Sequence, residues 1–399
     1  MENSPDIQIS SSRLAASQSR TDIAFSDYLP TVDLHVSAGG IGQSDIPNNK
    51  NDMNDDTLIL GQLSVKQLIY DFGRTGSNVD SFKYESNAFN MDNEQNISDK
   101  KLNVKVHYYN VLQTKALINV HKENVKLNKI QLYRSEKYYE AGIKTKIDIS
   151  DAKVQLIQAK LSLKEAEYDL KIAYAGLDKV VGFREITNDY TVYAPELDYE
   201  TIYSSIHDYS LNLVDSVEFA NANRYELKKY IQNVKASKAK SKLADSYYYP
   251  ELYADALYIK QEADDFDDSI PKDQWQAKVN LDWNIYEGGA TDASSQEKII
   301  QLQTTNSELQ NARLSIKKET TDSYINVSRT KDAVELSQSL VEVSSEKFVQ
   351  AEKRYEHGLG DYIELQQSRQ DYIDAKASLV VNYYAHYQSV AFLDNAIGK

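Results

Sequence analysis

The sequence contains an internal duplication, and this feature limits the possible folds of the chain more than any other. Tyr70 and Gly73 in YDFGR match Tyr286 and Gly289 in YEGGA, which lie 216 positions further along the 399-residue chain. The same shift carries YEAG onto YEHG, and AGLDKVVG onto AFLDNAIG. Because three separate motifs keep one spacing, the two halves are predicted to be copies of one structural unit.

Each half contains two stretches in which apolar and polar residues alternate, as in a β-strand with one apolar face. These stretches are residues 31–38, 57–69, 251–259 and 275–285. Such a strand can cover a second sheet in a soluble protein, or it can cross a membrane, for which about ten residues suffice. Two hairpins cannot hide their own edges, so we expect the strands to pair with those of other subunits.

Long stretches without proline follow each hairpin and predict unusually long helices. Between Gly76 and Gly142 the chain has neither glycine nor proline. Apolar residues recur there at heptad spacing, which predicts coiled-coil packing. The heptad positions are Ile118, Val125, Leu132 and Tyr139 in the first copy and Val334, Val341, Phe348 and Tyr355 in the second.

The predicted organisation has three parts. Residues 1–182 form the first structural repeat, with a helix-hairpin tip near residue 142, and residues 215–399 form the second, with a tip near residue 358. Residues 183–214 follow neither period and form an equatorial segment between the repeats.

Composition argues against several classes of function. A formal net charge of -15 disfavours nucleic acid as a partner, since phosphate backbones are bound by basic surfaces. The chain has no cysteine, and its six histidines lack the spacing of a metal site. No catalytic or phosphate-binding motif is present. We therefore expect no enzyme activity, no cofactor and no bound metal.

Six motifs, arranged as pairs in the two halves, resemble the TolC family of outer-membrane efflux and secretion ducts. They are the strand-to-helix turns IYDFGR and IYEGGA, the hairpin tips YYEAGIKTKIDISDAKVQL and RYEHGLGDYIELQQSRQDY, and the turns YLP and YYP. The resemblance covers nearly the whole chain. It implies a mainly α fold with a β-barrel part. Each protomer would be a duplicated helix-strand-strand-helix-helix chain, and three would form a twelve-stranded β-barrel continued by a long α-helical coiled-coil barrel.

The resemblance also implies a function. A homotrimer would lie in the lipid of the bacterial outer membrane, extend into the periplasm and act as a passive exit duct for small molecules and drugs. It would open at its periplasmic tips when a periplasmic adaptor and an inner-membrane pump, of the RND or ABC type, dock on it. Two alternatives remain: the duct of a type I protein secretion system, and a coiled-coil adaptor or scaffold that does not cross a membrane.

The resemblance places the pore constriction near the hairpin tips, at Asp148, Asp151, Tyr355, Glu364 and Gln367. Tyr355 matches a tyrosine of the family's closing lock, with Asp148 as its expected partner. Gly360 stands where a family member carries arginine, so one link of this lock is missing. As an alternative, Asp148 and Asp151 only stabilise a helix N-terminus, by about 0.3 to 1 kcal/mol.

Two further surfaces are expected. The adaptor would contact the tips at Gly142, Ile143, Lys144, Gly358, Leu359 and Gly360. The lipid-facing side chains of the barrel would be Ile59, Leu63, Val65, Trp275, Val279, Leu281 and Trp283, with Lys278 and Asp282 facing the channel.

Overall fold

The computed structural model describes residues 4–42, 55–182, 190–193, 197–199, 201–263 and 272–399. The helices are α1 (Pro5–Ser26), α2 (Arg74–Glu140), α3 (Lys146–Val181), α4 (Leu213–Asn223), α5 (Tyr225–Ser246), α6 (Ala290–Glu356) and α7 (Tyr362–Ala396). The strands are β1 (Thr31–Gly42), β2 (Asp55–Tyr70), β3 (Glu251–Ala263) and β4 (Asp273–Asp282). Residues 183–189, 194–196 and 200 of the predicted inter-repeat segment lie outside the described residues.

Two compact units make up the chain. The sheet unit comprises Ser12–Met91 and Lys228–Asn311, and the helical unit comprises Met1–Ser11, Asp92–Leu227 and Ala312–Lys399. Helices α1, α2, α5 and α6 contribute residues to both units. None of the helices in the described ranges contains a stretch that is long and apolar enough to cross a membrane.

The four strands form one antiparallel sheet in the order β1-β2-β3-β4. Directly paired residues lie on the same face of a sheet, so the register determines which side chains share a face. One face is mainly apolar, with polar residues such as Gln67, Lys260 and Asp273 towards its ends. Most of its large apolar side chains are exposed: Val32, Leu34, Val36, Ile59, Leu63, Tyr258, Trp275, Val279 and Leu281. Val65 lies on this face and is half-buried. Within the described residues, no strand pairs with the outer edges of β1 and β4.

The opposite face carries most of the polar side chains of the sheet, together with Leu60, Leu257 and Ile259. Lys278 pairs with Asp255 across β3 and β4, and its Nζ lies 4.0 Å from the carboxylate. Asn280 donates a hydrogen bond to the same carboxylate. On β2, the ammonium of Lys66 lies 4.1 Å above the ring of Tyr253. One side of the sheet is therefore suited to an apolar environment and the other to water.

The strand ends differ from the sequence-based expectation: β1 and β3 run further, to Gly42 and Ala263, whereas β4 ends earlier. The predicted strand ran to Ile285, but β4 ends at Asp282. Trp283 follows the strand, and its indole nitrogen donates to the backbone carbonyl of Tyr248 at 3.2 Å. Its position is therefore fixed by a turn of the second repeat and not by strand pairing.

The turn from β2 into α2 has an unusual backbone. Phe72 has φ 54° and Gly73 has φ 86°, and the equivalent turn of the second repeat has Gly288 at 64° and Gly289 at 87°. The Asp71 carboxylate accepts hydrogen bonds from the backbone N–H groups of Gly73 at 3.0 Å and Thr75 at 2.6 Å. Burial raises the pKa of Asp71, but these hydrogen bonds outweigh it and the pKa lies below its usual value. This carboxylate fixes the first turn of α2.

The helical unit is built around the heptad positions. All four positions of the second copy are buried, as are the small residues Ser337, Ser344 and Ala351 between them. In the first copy, Tyr139 lies close to the tip and is exposed. Val192 and Ile202 of the inter-repeat segment are buried against apolar clusters formed by the long helices.

We predict that Asp71→Ala destabilises the start of α2 by about 1 kcal/mol, because two backbone donors lose their acceptor. The pKa of Asp71 is depressed in the folded chain, so its contribution is complete above the unfolded pKa of about 3.9 and is lost as the pH falls through the folded pKa. The unfolding temperatures of wild type and Asp71→Ala in detergent, measured between pH 3 and pH 7, test this prediction. If the difference between the two temperatures does not become smaller at acidic pH, the prediction is wrong.

Candidate functional site

The two helix-hairpin tips bring together most of the site residues expected from the sequence. The first tip connects the end of α2 at Glu140 to the start of α3 at Lys146, and the second connects Glu356 to Tyr362. Gly142 has φ 73° and Gly358 has φ 75°. This left-handed conformation is strained for other residues, so glycine is what allows the chain to reverse.

Each tip exposes one apolar side chain. Ile143 is 66% exposed and Leu359 is 74% exposed. Lys144 instead places its ammonium 5.0 Å from the centre of the Tyr355 ring. At Gly360 a side chain would come within 3.2 Å of the Arg354 Cβ, so the second tip is tightly packed there.

Asp148 stabilises the start of α3. Its carboxylate accepts hydrogen bonds from the backbone N–H and the hydroxyl of Thr145, both at 2.8 Å. Burial raises the pKa of Asp148, but these bonds and the charge of Lys144 outweigh it, so the pKa lies below its usual value. Asp151, one turn further on, is exposed.

Glu364 and Gln367 both have partners within the chain. The Arg354 guanidinium donates to the Glu364 carboxylate at 2.9 Å, and the Gln367 amide donates to Asp371 at 2.7 Å. Arg354 was not expected from the sequence, where the absence of arginine at position 360 indicated a missing link. The Arg354–Glu364 ion pair means that Glu364 carries a partly neutralised charge.

Tyr355 is buried between the helices, with 3% of its surface exposed. Its ring lies 6.4 Å from the ring of Tyr138 on α2 and 6.2 Å from that of Tyr362 on α7. Its hydroxyl forms no hydrogen bond with Asp148, the partner expected from the resemblance. Burial, followed by the negative charge of Asp148, raises the pKa of Tyr355.

Several buried polar groups near the tips are poorly paired. Among the described residues, no hydrogen bond of good geometry is formed by the side-chain atoms Gln131 Nε2, Ser135 Oγ, Tyr355 Oη and Tyr362 Oη, although the Gln131 amide lies beside the Tyr355 hydroxyl and the Arg369 guanidinium beside that of Tyr362. Arg369, one of the few buried cations of the helical unit, is 4% exposed, and burial lowers its pKa. Buried polar atoms are rarely left unpaired in native proteins. The core behind the tips is therefore one of the less well satisfied parts of the helical unit.

One cation joins the two long helices within this core. Arg134 on α2 lies 2.8 Å from the carboxylate of Glu352 and 3.0 Å from that of Glu356, both on α6. Two acids four residues apart on one helix repel each other unless a cation lies between them. We call the contact of Arg134 with Glu352 and Glu356 the clamp. The spacing of the two glutamates is the one sequence signal for it, and it was not among the predicted site residues.

The described residues contain no group of three histidine, aspartate or glutamate side chains that could hold a metal ion.

The sequence profile of the outer membrane efflux protein family matches residues 1–183 and 217–399. The chain belongs to this family. The search of curated proteins gave no match.

Solved outer-membrane proteins have the same fold as this family member. CusC, described as forming a transmembrane channel, aligns over 99% of this chain and 89% of its own, with a TM-score of 0.87 and 15% identity. The outer-membrane channel OprN aligns over 99% and 87%, with a TM-score of 0.85 and 16% identity. The outer membrane protein VceC of Vibrio cholerae aligns over 99% and 93%, with a TM-score of 0.84 and 14% identity.

These likenesses confirm the predicted fold class, a mainly helical protomer whose four-stranded sheet belongs to a trimeric β-barrel continued by a helical barrel. Membership of the family makes the chain an outer-membrane exit duct. Its activity is conduction and not catalysis.

We predict that Tyr355→Phe does not lower the unfolding temperature of the protein in detergent. Within the described residues the buried hydroxyl forms no hydrogen bond of good geometry, even with the neighbouring Gln131 amide, so its removal costs little. Tyr355→Ala, the control, should cost about 3 to 5 kcal/mol because it also removes the ring and leaves a cavity. A marked loss of stability in Tyr355→Phe would indicate that the assembled protein supplies a partner to the hydroxyl.

Proposed function

We propose that the protein is the outer-membrane duct of a tripartite efflux system for small molecules. The match of both repeats to the outer membrane efflux protein family carries this proposal. In it, an inner-membrane pump supplies the energy, a periplasmic adaptor connects the pump to the tips, and this chain provides the passive exit. The protein extends from the outer membrane into the periplasm.

The sheet supports the membrane part of this proposal. Its exposed face carries Leu34, Leu63, Val279 and other apolar side chains, while the outer edges of β1 and β4 have no strand partner in the part of the chain that the structure describes. In a bilayer every backbone N–H and C=O group must be paired, which an open sheet cannot achieve. Three copies that join β1 to β4 of the neighbour satisfy both edges and turn the apolar faces towards lipid.

We predict that Val279→Arg prevents assembly in the membrane, whereas Lys278→Leu is tolerated. The two residues are adjacent on β4 and lie on opposite faces. A charge on the lipid face near the bilayer centre costs about 2 to 4 kcal/mol, while a change on the channel face affects conduction. The yield of heat-resistant trimer in outer-membrane fractions measures this. Equal yields from the two variants would show that the faces are assigned wrongly.

We propose further that Asp148 and Asp151 contribute to a negatively charged constriction. They are three residues apart on α3 and therefore lie on one side of the helix. Three protomers around one axis would place six carboxylates at the periplasmic end and favour cations. The pairing of Glu364 with Arg354 makes Glu364 the weaker contributor.

We predict that Asp151→Asn lowers the cation over anion permeability ratio in planar bilayers by about threefold, since a carboxylate is removed from the pathway. Asp151 is exposed, so its replacement should leave stability unchanged. Thr145→Ala is the matched control: it weakens the start of α3 but keeps both carboxylates. If Thr145→Ala alters selectivity as much as Asp151→Asn, the aspartates act through helix stability and do not line the pathway.

The adaptor would bind at the exposed tips. Ile143 and Leu359 are exposed apolar side chains on tight glycine turns, which suits contact with a partner helix.

We predict that Leu359→Asp reduces drug efflux by at least about tenfold, as expected when a buried apolar contact is lost from an interface. The control variant Leu359→Met keeps an apolar side chain and should retain efflux. Drug susceptibility of cells that carry each variant, together with the amount of trimer in the outer membrane, measures the effect. If Leu359→Asp remains fully active, the adaptor binds elsewhere.

Drug susceptibility and protein secretion, measured in cells with and without this gene, distinguish small-molecule cargo from protein cargo. Loss of the wild-type gene should sensitise cells to small toxic compounds. If susceptibility is unchanged and a secreted protein disappears from the medium, the duct serves type I secretion.

A further inference from the structure

Helix α5 differs from the rest of the chain in its charge. It contains six lysines and two acidic residues, whereas the whole chain has a formal net charge of -15. Lys235, Lys238 and Lys242 are exposed, and we call them the lysine ridge. Residues three and four positions apart lie on one side of a helix, so the ridge is a continuous basic strip.

The lysine ridge has no acidic partner within the described residues. None of its three ammonium groups forms an ion pair there, whereas Lys240 on the same helix pairs with Glu85 of α2 at 2.5 Å. The ammonium of Lys235 lies 5.8 Å from the centre of the Tyr84 ring, near the limit of a cation–π contact. Two members of the ridge are four residues apart, and like charges at this spacing destabilise a helix. The ridge therefore adds little to the stability of the protomer.

The first repeat shows that the fold does not require these lysines. The turns YLP and YYP end at Pro30 and Pro250, so the repeats are 220 positions apart before the strands. This shift places α1 on α5 over their full length of 22 residues. The residues of α1 equivalent to the ridge are Ala15, Gln18 and Asp22, which are also exposed. The basic strip is therefore specific to the second repeat.

The ridge faces away from the neighbouring helices. The hydroxyls of Ser237 and Thr305 of α6 share a hydrogen bond of 3.0 Å, and Lys240 binds α2. Leu243 lines a cavity of about 420 Å³ together with Lys66 of the polar face of the sheet. At about 3.6 residues per turn, Ser237, Lys240 and Leu243 centre on the side of α5 opposite to the ridge. The ridge therefore points away from the polar face, which is the proposed channel side.

The ridge extends along α5 in the direction away from the strands. Lys242 lies four residues before the end of α5 and Lys235 eleven, or about 6 and 16 Å along the helix axis. The headgroup layer of a bilayer is only about 5 to 7 Å thick on each side, and charge attraction decays within about 8 Å in physiological salt. Acidic lipid would therefore engage Lys242 at most. A partner that contacts all three lysines must be an elongated anion beside the helix.

We propose that the lysine ridge binds peptidoglycan, the carboxylate-bearing polymer of the periplasm, through ion pairs with its peptide stems. This inference rests on the proposed function, because it requires the helices below the sheet to lie in the periplasm. The trimer presents three ridges, so weak single contacts add up to firm attachment. The excess of acidic residues elsewhere in the chain repels a polyanion, which confines the attachment to the ridge.

Sedimentation with isolated peptidoglycan sacculi tests this proposal. Wild-type trimer in detergent is mixed with sacculi at about 50 mM salt, and the bound fraction is measured in the pellet. The ridge variant carries Lys235→Gln, Lys238→Gln and Lys242→Gln. The control variant makes the same charge change at three exposed lysines of α2, by Lys122→Gln, Lys126→Gln and Lys129→Gln. A third variant replaces the ridge lysines by arginine and keeps the charge.

The bound fraction of the ridge variant should fall at least about tenfold below that of wild type, since three ion pairs per protomer are removed. The control variant should change by less than about twofold, and the arginine variant should bind like wild type. Sacculi whose carboxylates have been converted to amides should bind none of the trimers. Salt at about 500 mM should release wild type, because the Debye length falls to about 4 Å.

Three results would overturn the proposal. They are wild-type binding by the ridge variant, an equal loss in the control variant, and undiminished binding to amidated sacculi. If the ridge variant binds sacculi normally but purifies with less phosphatidylglycerol per trimer than wild type, the ridge recognises lipid and the proposal is wrong.

The amount of outer-membrane trimer and the drug efflux of cells separate this proposal from the proposed function. Both should be the same for the ridge variant and wild type, because the ridge lies outside the channel and the tips. Wild-type trimer in the outer membrane without binding to sacculi would refute the ridge proposal alone. Absence of wild-type trimer from outer-membrane fractions would refute the proposed function itself.

Discussion

The unpaired edges of the four-stranded sheet are the constraint on which the rest of the structure depends. A protomer that exposes both a long apolar face and two free edges cannot exist alone in water or in lipid, because the backbone groups of β1 and β4 need partners. Closing the sheet with other copies is the physical solution, and it sets the symmetry of everything attached to the strands. Since α2 and α6 begin directly after β2 and β4, that symmetry extends to the helices.

The helical unit contrasts a well-satisfied clamp with a poorly satisfied core. Arg134 binds two carboxylates of α6, whereas its neighbours Gln131, Ser135 and Tyr355 carry buried polar atoms for which the described residues provide no well-formed hydrogen bond. Breaking the clamp would leave a partly buried charge unpaired, while moving the tip core would cost few existing hydrogen bonds. The clamp and the unsatisfied groups alternate along the same stretch of α2 and α6, so any rearrangement of the tips involves both.

The duplication preserved backbone geometry more strictly than side chains. The strand-to-helix turns agree in φ to within a few degrees at Gly73 and Gly289, yet one repeat carries Phe72 where the other carries Gly288. The hairpin tips likewise share a left-handed glycine, while their charges differ: the first tip pairs Asp148 with Thr145, and the second pairs Glu364 with Arg354. The same backbone conformation therefore carries different side-chain contacts in the two repeats of each protomer.

The sequence by itself determined the repeats, the strands, the long helices and the glycine turns, because each of these follows from local periodicity or from a local backbone requirement. The alternation from Trp275 placed Val279 and Lys278 on opposite faces, and the register agrees. Only the tertiary structure decided that β4 ends at Asp282, that Arg354 pairs with Glu364, and that the Tyr355 hydroxyl is buried next to Gln131 and not bonded to Asp148. These features depend on which side chains distant segments bring together, and neither spacing nor motif likeness specifies that packing. The strain at Phe72 is of the same kind, since a phenylalanine in the sequence gives no sign of the backbone conformation that the fold imposes on it.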